Sequence, residues 1–436
     1  MCGFYGTNLD VDYFEDQLIC RRGPDESSRK KYYDFLVTHH LLKLDSESTI
    51  QPYIKDDILV AFNGEFYMDL KNSEVEYMVD EYKKQGINFV KNLDGEFSIV
   101  LIDAQKDLAF IVTDDFRTKP IFYSLDRGFS FSSYECFLND IGVKNVVKPD
   151  VGSIITINTK SNEVVCSEKL YEFDLNQHKD TFDDWVVAFK NSVAKRSDPK
   201  KGKGIFVGLS CGYDSGAIAF ELKRQDREFL TFSVLGTETP SILKERVDLL
   251  ASEKVRCAGW GKEPGIEAMC IEHIRSSTEN KRYDIYSSQG DYVEDTKMDS
   301  DNGCKWLVSV CHAARENEHR ICLSGGGADE IFSDYGFGGK RIYPHSNFGG
   351  KFPDDLSEIF PWASFYESTM SSYMMKEEYV GGSFGIETRY PFLDRMVVQE
   401  FLWLKPELKN SKYKSVLDHY LTENQVPFER DVKRGW

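Results

Sequence analysis

Residues 204–215 read GIFVGLSCGYDS and pass directly into GAIAFELKRQ at 216–225. An apolar, β-branched run that ends in small polar residues and then takes up helical periodicity predicts strand, loop and helix in succession. A loop of this kind turns backbone N–H groups and a helix amino terminus toward an anion, and its small residues permit close approach. It is not a P-loop, because GxxxxGK[ST] is absent. On either side the texture repeats: DDWVVAFKNSVAKR (183–196) is helical and FLTFSVLG (229–236) is a strand. A second strand-loop-helix unit, RICLSGGGADEIF (320–332), again ends its strand in small residues and again delivers an aspartate. Alternation of strand and helix predicts a parallel sheet covered on both faces, an α/β domain.

The chain before this point reads differently. FLVTHHLLKL, ILVAFNGEFYM, FSIVLIDAQ, LAFIVTDD, IFYSL, FSFSS and SIITINT are strand-like segments rich in β-branched and aromatic residues, interrupted by a helix, SEVEYMVDEYKKQG, that closes at Gly86. This predicts an α+β domain dominated by sheet. The polar stretch NTKSNEVVCSEKLYEFDLNQHKD (158–180) is the expected boundary, giving domains at 2–165 and 178–436. A chain of 436 residues with 41% hydrophobic content suits two or three such domains.

Lysine plus arginine total 54 against 72 acidic residues, a net charge of −18, which disfavours nucleic acid and anionic membranes as partners. Neither a basic leader with an apolar run nor an apolar stretch of spanning length is present, so a cytoplasmic location is expected. The ten cysteines are scattered singly without a CxxC pair, which argues against disulfides and structural zinc. A homodimer is an admissible assembly, although no residue pattern fixes the oligomeric state.

Cys2 follows the initiator methionine and precedes Gly3. Removal of Met1 would leave one residue carrying both a thiol and an α-amine, and an amine with a pKa near 8 can take the thiol proton itself. Downstream stand RRGPDES (21–27), Gln51-Pro52, NGEFY (63–67) and LDGEFSIVLID (93–103). In this order they resemble the amino-terminal domain of the class II glutamine amidotransferases, with an Ntn-hydrolase-like sandwich as the implied fold. The resemblance implies that Cys2 attacks the glutamine side-chain amide, that Asn63 and the backbone of Gly64 form the oxyanion hole, and that Glu65 and Asp94 hold the α-amino group. Two fixed donors aimed at a developing oxyanion are worth several kcal/mol. The family's HxRLxI segment is HHLLKL (39–44) here, with Leu41 where an arginine would grip the glutamine α-carboxylate; Arg21, Arg22, His40 and Lys43 are the available substitutes. TDDFRTKPIFY (113–123) departs from RDxxGxKPLYY but keeps Lys119-Pro120.

SCGYDS resembles the SGGxDS loop of the ATP-pyrophosphatase superfamily (adenine nucleotide alpha hydrolase-like fold), with Cys211 in a glycine position that tightens the loop. SGGGADE resembles the SGxGxDE signature of asparagine synthetases, which commonly have glutamate where this chain has Gly326. The pair implies ATP and Mg²⁺ as cofactors, with Asp214 and Asp329 as metal ligands and Leu209, Ser210, Gly212, Asp214, Ser215, Ser233, Ser324 and Gly325 around the nucleotide. GIETRYPFLD (385–394) matches GxExRxPFLD, and KYKSVL (412–417) is similar to the family's lysine segment. Lys414 is then an electrostatic clamp on developing charge, with a solvated helix lysine as the alternative. Glu387 either orients or deprotonates the incoming amine or pairs with Arg389 or Arg395. KRGW (433–436) is similar to a KxGF segment of the same family.

The implied activity is a glutamine-hydrolysing asparagine synthetase-like ligase: glutamine hydrolysed in the first domain, ammonia channelled to the second, and a carboxylate, aspartate first, adenylated to an aspartyl-AMP intermediate with release of pyrophosphate and then AMP. Two alternatives stand beside it. One is amide synthesis on another small-molecule or peptide carboxylate; the other is a non-catalytic nucleotide-binding scaffold, against which the retention of Cys2, Asn63, Asp214, Asp329 and Lys414 speaks.

Overall fold

A computed structural model describes residues 2–433 except 12–15, 45–47, 203, 236–237, 261–264, 287–291 and 295. The chain divides into two compact units: Met1–Glu172 with Gly381–Gly385, and Phe173–Val380 with Ile386–Trp436. Of the KRGW segment, residues 434–436 lie outside the described residues.

Among the described residues, the first unit holds two antiparallel sheets. In one, Gly3–Thr7 lies between Phe35–Leu41 and Ser130–Ser132, flanked by Glu26–Tyr32 and Phe122–Ser124. The other has Ile58–Phe66 and Gly95–Asp103 near its centre, extended by Leu108–Thr113, Ser153–Asn158 and Glu163–Lys169 on one side and Tyr53–Lys55 on the other. Period-two alternation assigns the faces. Leu59 and Ala61 join Phe4, Val37 and Phe131 in the core shared by the two sheets, while Ile58, Val60 and Phe62 pack with Val75, Met78 and Val79 of the helix Glu74–Gln85. The helix stops where it was expected to, at Gly86, whose φ of 68° suits a residue without a Cβ.

Several strands escaped the sequence reading, Gly3–Thr7, Tyr53–Lys55, Val255–Trp260 and Glu387–Arg389 among them, and two more did so for want of an apolar face. Glu26–Tyr32 (ESSRKKY) is almost entirely polar, and Glu163–Lys169 (EVVCSEK) is exposed at every position. Neither carries a buried apolar face, so hydrophobic alternation had nothing to register; pairing with Phe35–Leu41 and Ser153–Asn158 holds them.

The second unit is built on a parallel sheet in the order Val255–Trp260, Phe229–Val234, Ile205–Gly208, Ile321–Leu323, Glu387–Arg389. The chain runs outward from Ile205–Gly208 in one direction and returns on its other side at Ile321–Leu323, so the sheet has its switch point between these two strands, where open α/β sheets form their clefts. The helix after the first loop spans Tyr213–Arg224, capped by Gly212, and so begins three residues earlier than its apolar periodicity suggested. Among the described residues no helix is long and apolar enough to cross a membrane.

Candidate active sites

In the first unit Cys2 leads directly into the strand Gly3–Thr7 and is buried with Leu41 and Leu42. Its backbone N lies 2.7 Å from Asn63 Oδ1, and its carbonyl accepts from Arg22 Nε at 2.9 Å. Arg22 is itself fixed: Nη1 donates to Tyr134 OH at 2.8 Å and the guanidinium stacks over that ring. Asn63 follows Leu59 and Ala61 at the same parity on Ile58–Phe66, which turns its side chain toward the opposite sheet and Cys2. The Asn63 side chain is fully buried, and with Oδ1 held by Cys2 its Nδ2 has no hydrogen-bond partner among the described residues. A buried amide donor left without an acceptor costs about 1–3 kcal/mol, and an oxyanion is an acceptor that would fill it. Gly64 has φ 140°, and a Cβ there would lie 2.0 Å from the carbonyl oxygen of Glu96, so no side chain fits.

Glu65 is buried on the same face as Asn63, opposite Glu96 in the strand register, and Asp94 immediately precedes the partner strand, its carbonyl accepting from Tyr67 N at 2.8 Å. Leu41 is buried against Cys2, so the position expected to carry an arginine presents an apolar surface. Arg22 spends donors on Cys2 and Tyr134, Lys43 pairs with Glu26 at 2.5 Å, and His40 Nδ1 shares a hydrogen bond with Ser27 Oγ at 2.7 Å. Arg21 is exposed.

In the second unit the two loops predicted from sequence meet because their strands are neighbours. Ser210 Oγ lies 3.0 Å from Ser215 Oγ and accepts from Gly212 N at 3.2 Å, which closes the loop on itself. Leu209 N donates to Phe232 O at 2.8 Å and Ser233 Oγ to Leu209 O at 2.9 Å. Arg246, buried with its guanidinium held near 10 by desolvation, donates to Ser210 O and to Pro427 O. A Cβ at Gly216 would lie 2.5 Å from that guanidinium, which explains the glycine in the first turn of the helix. Cys211 is also buried, its N–H donating to Glu238 at 2.5 Å and its thiol, pushed up to about 11 by burial, to Thr239 O at 3.3 Å.

Asp214 and Asp329 converge on one cation. Lys414 Nζ is 2.7 and 2.8 Å from the two oxygens of Asp214 and 2.7 Å from Asp329 Oδ1. Asp329 also accepts from Tyr413 OH at 3.0 Å and from Lys433 Nζ at 2.9 Å. Lys414 is buried with φ 47°, a left-handed conformation at the start of the helix Ser415–Glu423. Burial opposes charge on all these groups. For Asp329 the two ammoniums outweigh it and hold the carboxyl well below the usual range, whereas Asp214, with Lys414 as its nearest cation and Asp329 as a like charge, is left raised. The two carboxylates in turn raise Lys414. Two negative and two positive groups thus neutralise one another, with Lys414 and Asp329 buried and Asp214 and Lys433 partly exposed.

A cavity of about 900 Å³ opens over Asp214, Asp329 and Lys433, whereas Lys414 and Tyr413 are absent from its lining and stand behind the two aspartates. Ser210, Asp214, Ser215, Ser324, Gly325 and Asp329 line it together with Lys433, Glu377, Trp306, Tyr373 and Met374. Leu209, Gly212 and Ser233 support the loop from outside that lining. Glu387, on the edge strand, accepts from Arg389 Nε at 2.7 Å and is also absent from the lining, the ion-pair alternative foreseen for it; Arg389 reaches on to the carbonyls of Arg196 and Lys201. Sequence reading missed Lys433, Tyr413, Arg246 and Glu377. Lys433 and Tyr413 stood inside motifs already singled out, whereas Arg246 and Glu377 sit in helices with no local signal.

Two carboxylates held within 2.8 Å of a common ammonium are placed to share a divalent cation. Carboxylate oxygens are hard ligands of the kind Mg²⁺ takes, one or two at a time with phosphate and water; among the described residues there is no group of three or more His, Cys, Asp or Glu that could hold a metal ion.

Both halves of the chain are similar to known proteins. Residues 1–173 match the family described as glutamine amidotransferase domain. Asparagine synthetase [glutamine-hydrolyzing] from Homo sapiens is 24% identical over 98% of this chain and 82% of its own length. Asparagine synthetase [glutamine-hydrolyzing] 2 of Bacillus subtilis is 24% identical over 94% and 68%, and the putative asparagine synthetase [glutamine-hydrolyzing] 1 of Methanocaldococcus jannaschii 24% over 86% and 70%. Among solved structures, the allosteric regulatory enzyme of purine biosynthesis overlaps 59% of this chain and 80% of its own at 11% identity, with a TM-score of 0.32, too loose a superposition to bear on fold or function. The chain carries an amino-terminal glutamine amidotransferase domain and is, over most of its length, a relative of the glutamine-hydrolysing asparagine synthetases.

Proposed function

We propose that this chain is a ligase that converts aspartate to asparagine with glutamine as nitrogen donor and ATP as the energy source. The observation that carries the reading is that a similarity to asparagine synthetases runs through both halves of the chain while each half presents its own set of reactive groups.

In the first unit, removal of Met1 frees the Cys2 α-amine, which Asn63 Oδ1 orients. That amine takes the thiol proton as the sulfur attacks the glutamine amide carbon. The Asn63 Nδ2 donor, with the backbone of Gly64, meets the oxygen as it becomes negative. Glu65 and Asp94 hold the α-ammonium. Leu41 leaves the α-carboxylate without the arginine of related enzymes, so glutamine is bound less tightly here than where a guanidinium grips that carboxylate. Ammonia released in this unit is consumed in the second.

In the second unit, Ser210, Ser215, Ser324 and Gly325 surround the phosphates. Asp214 and Asp329 would hold Mg²⁺, which when bound neutralises the phosphates of ATP. Lys414 stabilises charge as the carboxylate attacks the α-phosphorus and pyrophosphate departs, and Lys433 and Tyr413 keep Asp329 ionised and oriented. Adenylation is needed because a free carboxylate is a poor electrophile at neutral pH. We place the enzyme in the cytoplasm, where ATP and both amino acids are available.

The test is pyrophosphate and glutamate release by the purified chain with ATP, aspartate and glutamine, repeated with ammonium and with other carboxylic acids. Asparagine formation from either nitrogen donor supports the reading; absence of pyrophosphate release with every acid overturns it.

A further inference from the structure

The helix Thr369–Ser383 lays Met370, Tyr373, Met374 and Glu377 along one wall of the cavity, the i, i+3, i+4, i+7 stripe of a helix face. Three of the four are apolar or aromatic, as expected where a helix closes a pocket. The fourth, Glu377, is an acid that makes no ion pair among the described residues. Glu377 Oε1 accepts from Ser324 Oγ at 2.8 Å, Ser324 Oγ in turn accepts from Gly326 N at 2.9 Å, and Glu377 Oε2 is closed to solvent with no hydrogen-bond partner among the described residues. The loop supplies no acid of its own at Gly326, where a Cβ would already lie 3.3 Å from Ser324 Oγ and from the ring of Tyr390.

Resting on the asparagine-forming reading above, we propose that Ser324 and Glu377 form a proton relay for the amide-forming step. Ammonia uses its lone pair to form the C–N bond at the acyl carbon of the adenylate, and the carbonyl π pair moves onto oxygen. The nitrogen of that adduct is cationic and would be expelled again unless it loses a proton. Ser324 Oγ takes that proton while passing its own to Glu377, and collapse of the adduct breaks the bond between the acyl carbon and the phosphate oxygen, AMP leaving with the electron pair. Burial pushes the Glu377 carboxyl up to about 7, a value that suits transfer in both directions at neutral pH. Lys376 beside it favours the ionised form, Glu378 and Glu330 oppose it, and the thiols of Cys311 and Cys322 face it from the helix Asn302–Glu316 and the strand Ile321–Leu323.

Exchange of labelled pyrophosphate into ATP reports adenylation alone, whereas amide formation with ammonium reports both steps. Both are measured for the wild type, Glu377→Gln and Glu377→Asp with aspartate and a panel of other carboxylic acids. The relay requires Glu377→Gln to exchange pyrophosphate within about twofold of wild type while amide formation falls by about 100-fold or more. Its pH profile should also lose the rise through pH 7, and Glu377→Asp should recover part of the rate. Amide formation by Glu377→Gln close to the wild-type rate, or a parallel loss of both activities, overturns the relay. Exchange supported only by an acid other than aspartate removes the aspartate assignment and leaves the relay to be judged on that acid. Exchange with no acid at all removes the synthetase reading and the relay with it.

Discussion

Lys414 grips Asp214 with both carboxylate oxygens, at 2.7 and 2.8 Å, across a sequence separation of 200 residues. The same Nζ meets Asp329, so one ammonium compensates two acids that the first turns of two separate helices deliver. Neutralisation of this kind is a requirement of folding as well as a resource for catalysis, and the two roles can be separated.

Replacing Lys414 by alanine leaves Asp214 and Asp329 facing each other with Lys433 as the nearest remaining cation. Removing one member of a buried ionic set costs about 3–5 kcal/mol, so the thermal midpoint of the ligand-free variant should fall markedly. Magnesium with ATP supplies positive charge at the same place and should restore more of that stability than it adds to wild type. ATP affinity by calorimetry should be largely retained while the single-turnover rate of pyrophosphate release falls. Lost ATP affinity with an unchanged rate would move the lysine from catalysis to binding.

Asp329→Asn removes the anchor shared by Lys414, Lys433 and Tyr413 and offers a neutral amide where a hard anionic ligand is needed. Pyrophosphate release should drop by orders of magnitude with either nitrogen donor, and Asp214→Asn should behave alike. Glutamate release at Cys2 should survive both changes. Wild-type pyrophosphate release in these variants would sink the assignment of the metal and phosphate site.

For the amidotransferase unit, Cys2→Ala should abolish glutamate release and leave ammonium-supported synthesis largely intact, because the second unit needs ammonia and not the thiol. Asn63→Ala is expected to lower kcat for glutamine hydrolysis by about 100–1,000-fold with a smaller change in KM, since its Nδ2 acts on charge present only in the transition state. A rise in KM at constant kcat would instead make Asn63 a ground-state contact.

His39 stands beside this site, its Nε2 hydrogen-bonded at 3.1 Å to Phe62 O, a carbonyl that can only accept, so Nδ1 carries the free lone pair. Nδ1 is buried without a partner, and desolvation holds the imidazole near 3, against 6.5 for an unperturbed histidine. The folded chain keeps His39 neutral while the unfolded chain takes up a proton as pH falls through 6.5. Stability from this residue is therefore full above that pH and is lost progressively toward 3, by about 2 kcal/mol between pH 7 and pH 5. Buried Asp114, raised to about 6, runs in the opposite sense, so the check is a difference. Chemical denaturation at pH 7 and pH 5 should show wild type losing more stability than His39→Phe, and equal losses would place the proton elsewhere.

The sequence by itself determined the two kinds of architecture and the order of the chemistry along the chain. The apolar, β-branched and aromatic run at 58–62 and the strand-loop-helix texture at 204–225 are local signals, and Cys2, Asn63, Asp214, Asp329 and Lys414 stood in short motifs legible without any partner. Tertiary structure alone decided which groups meet. Strand order placed Ile205–Gly208 beside Ile321–Leu323, and that adjacency, not any local pattern, set Lys414 between two aspartates. Tertiary packing also set Leu41 against Cys2 and put Arg246 behind the Ser210 loop, whereas the pairing of Glu387 with Arg389, two residues away, was legible in the sequence. The physical reason is that periodicity records which face of an element is buried, whereas the pairing of polar groups depends on which elements lie side by side. That is fixed by long-range packing and by the need to compensate every charge the core encloses.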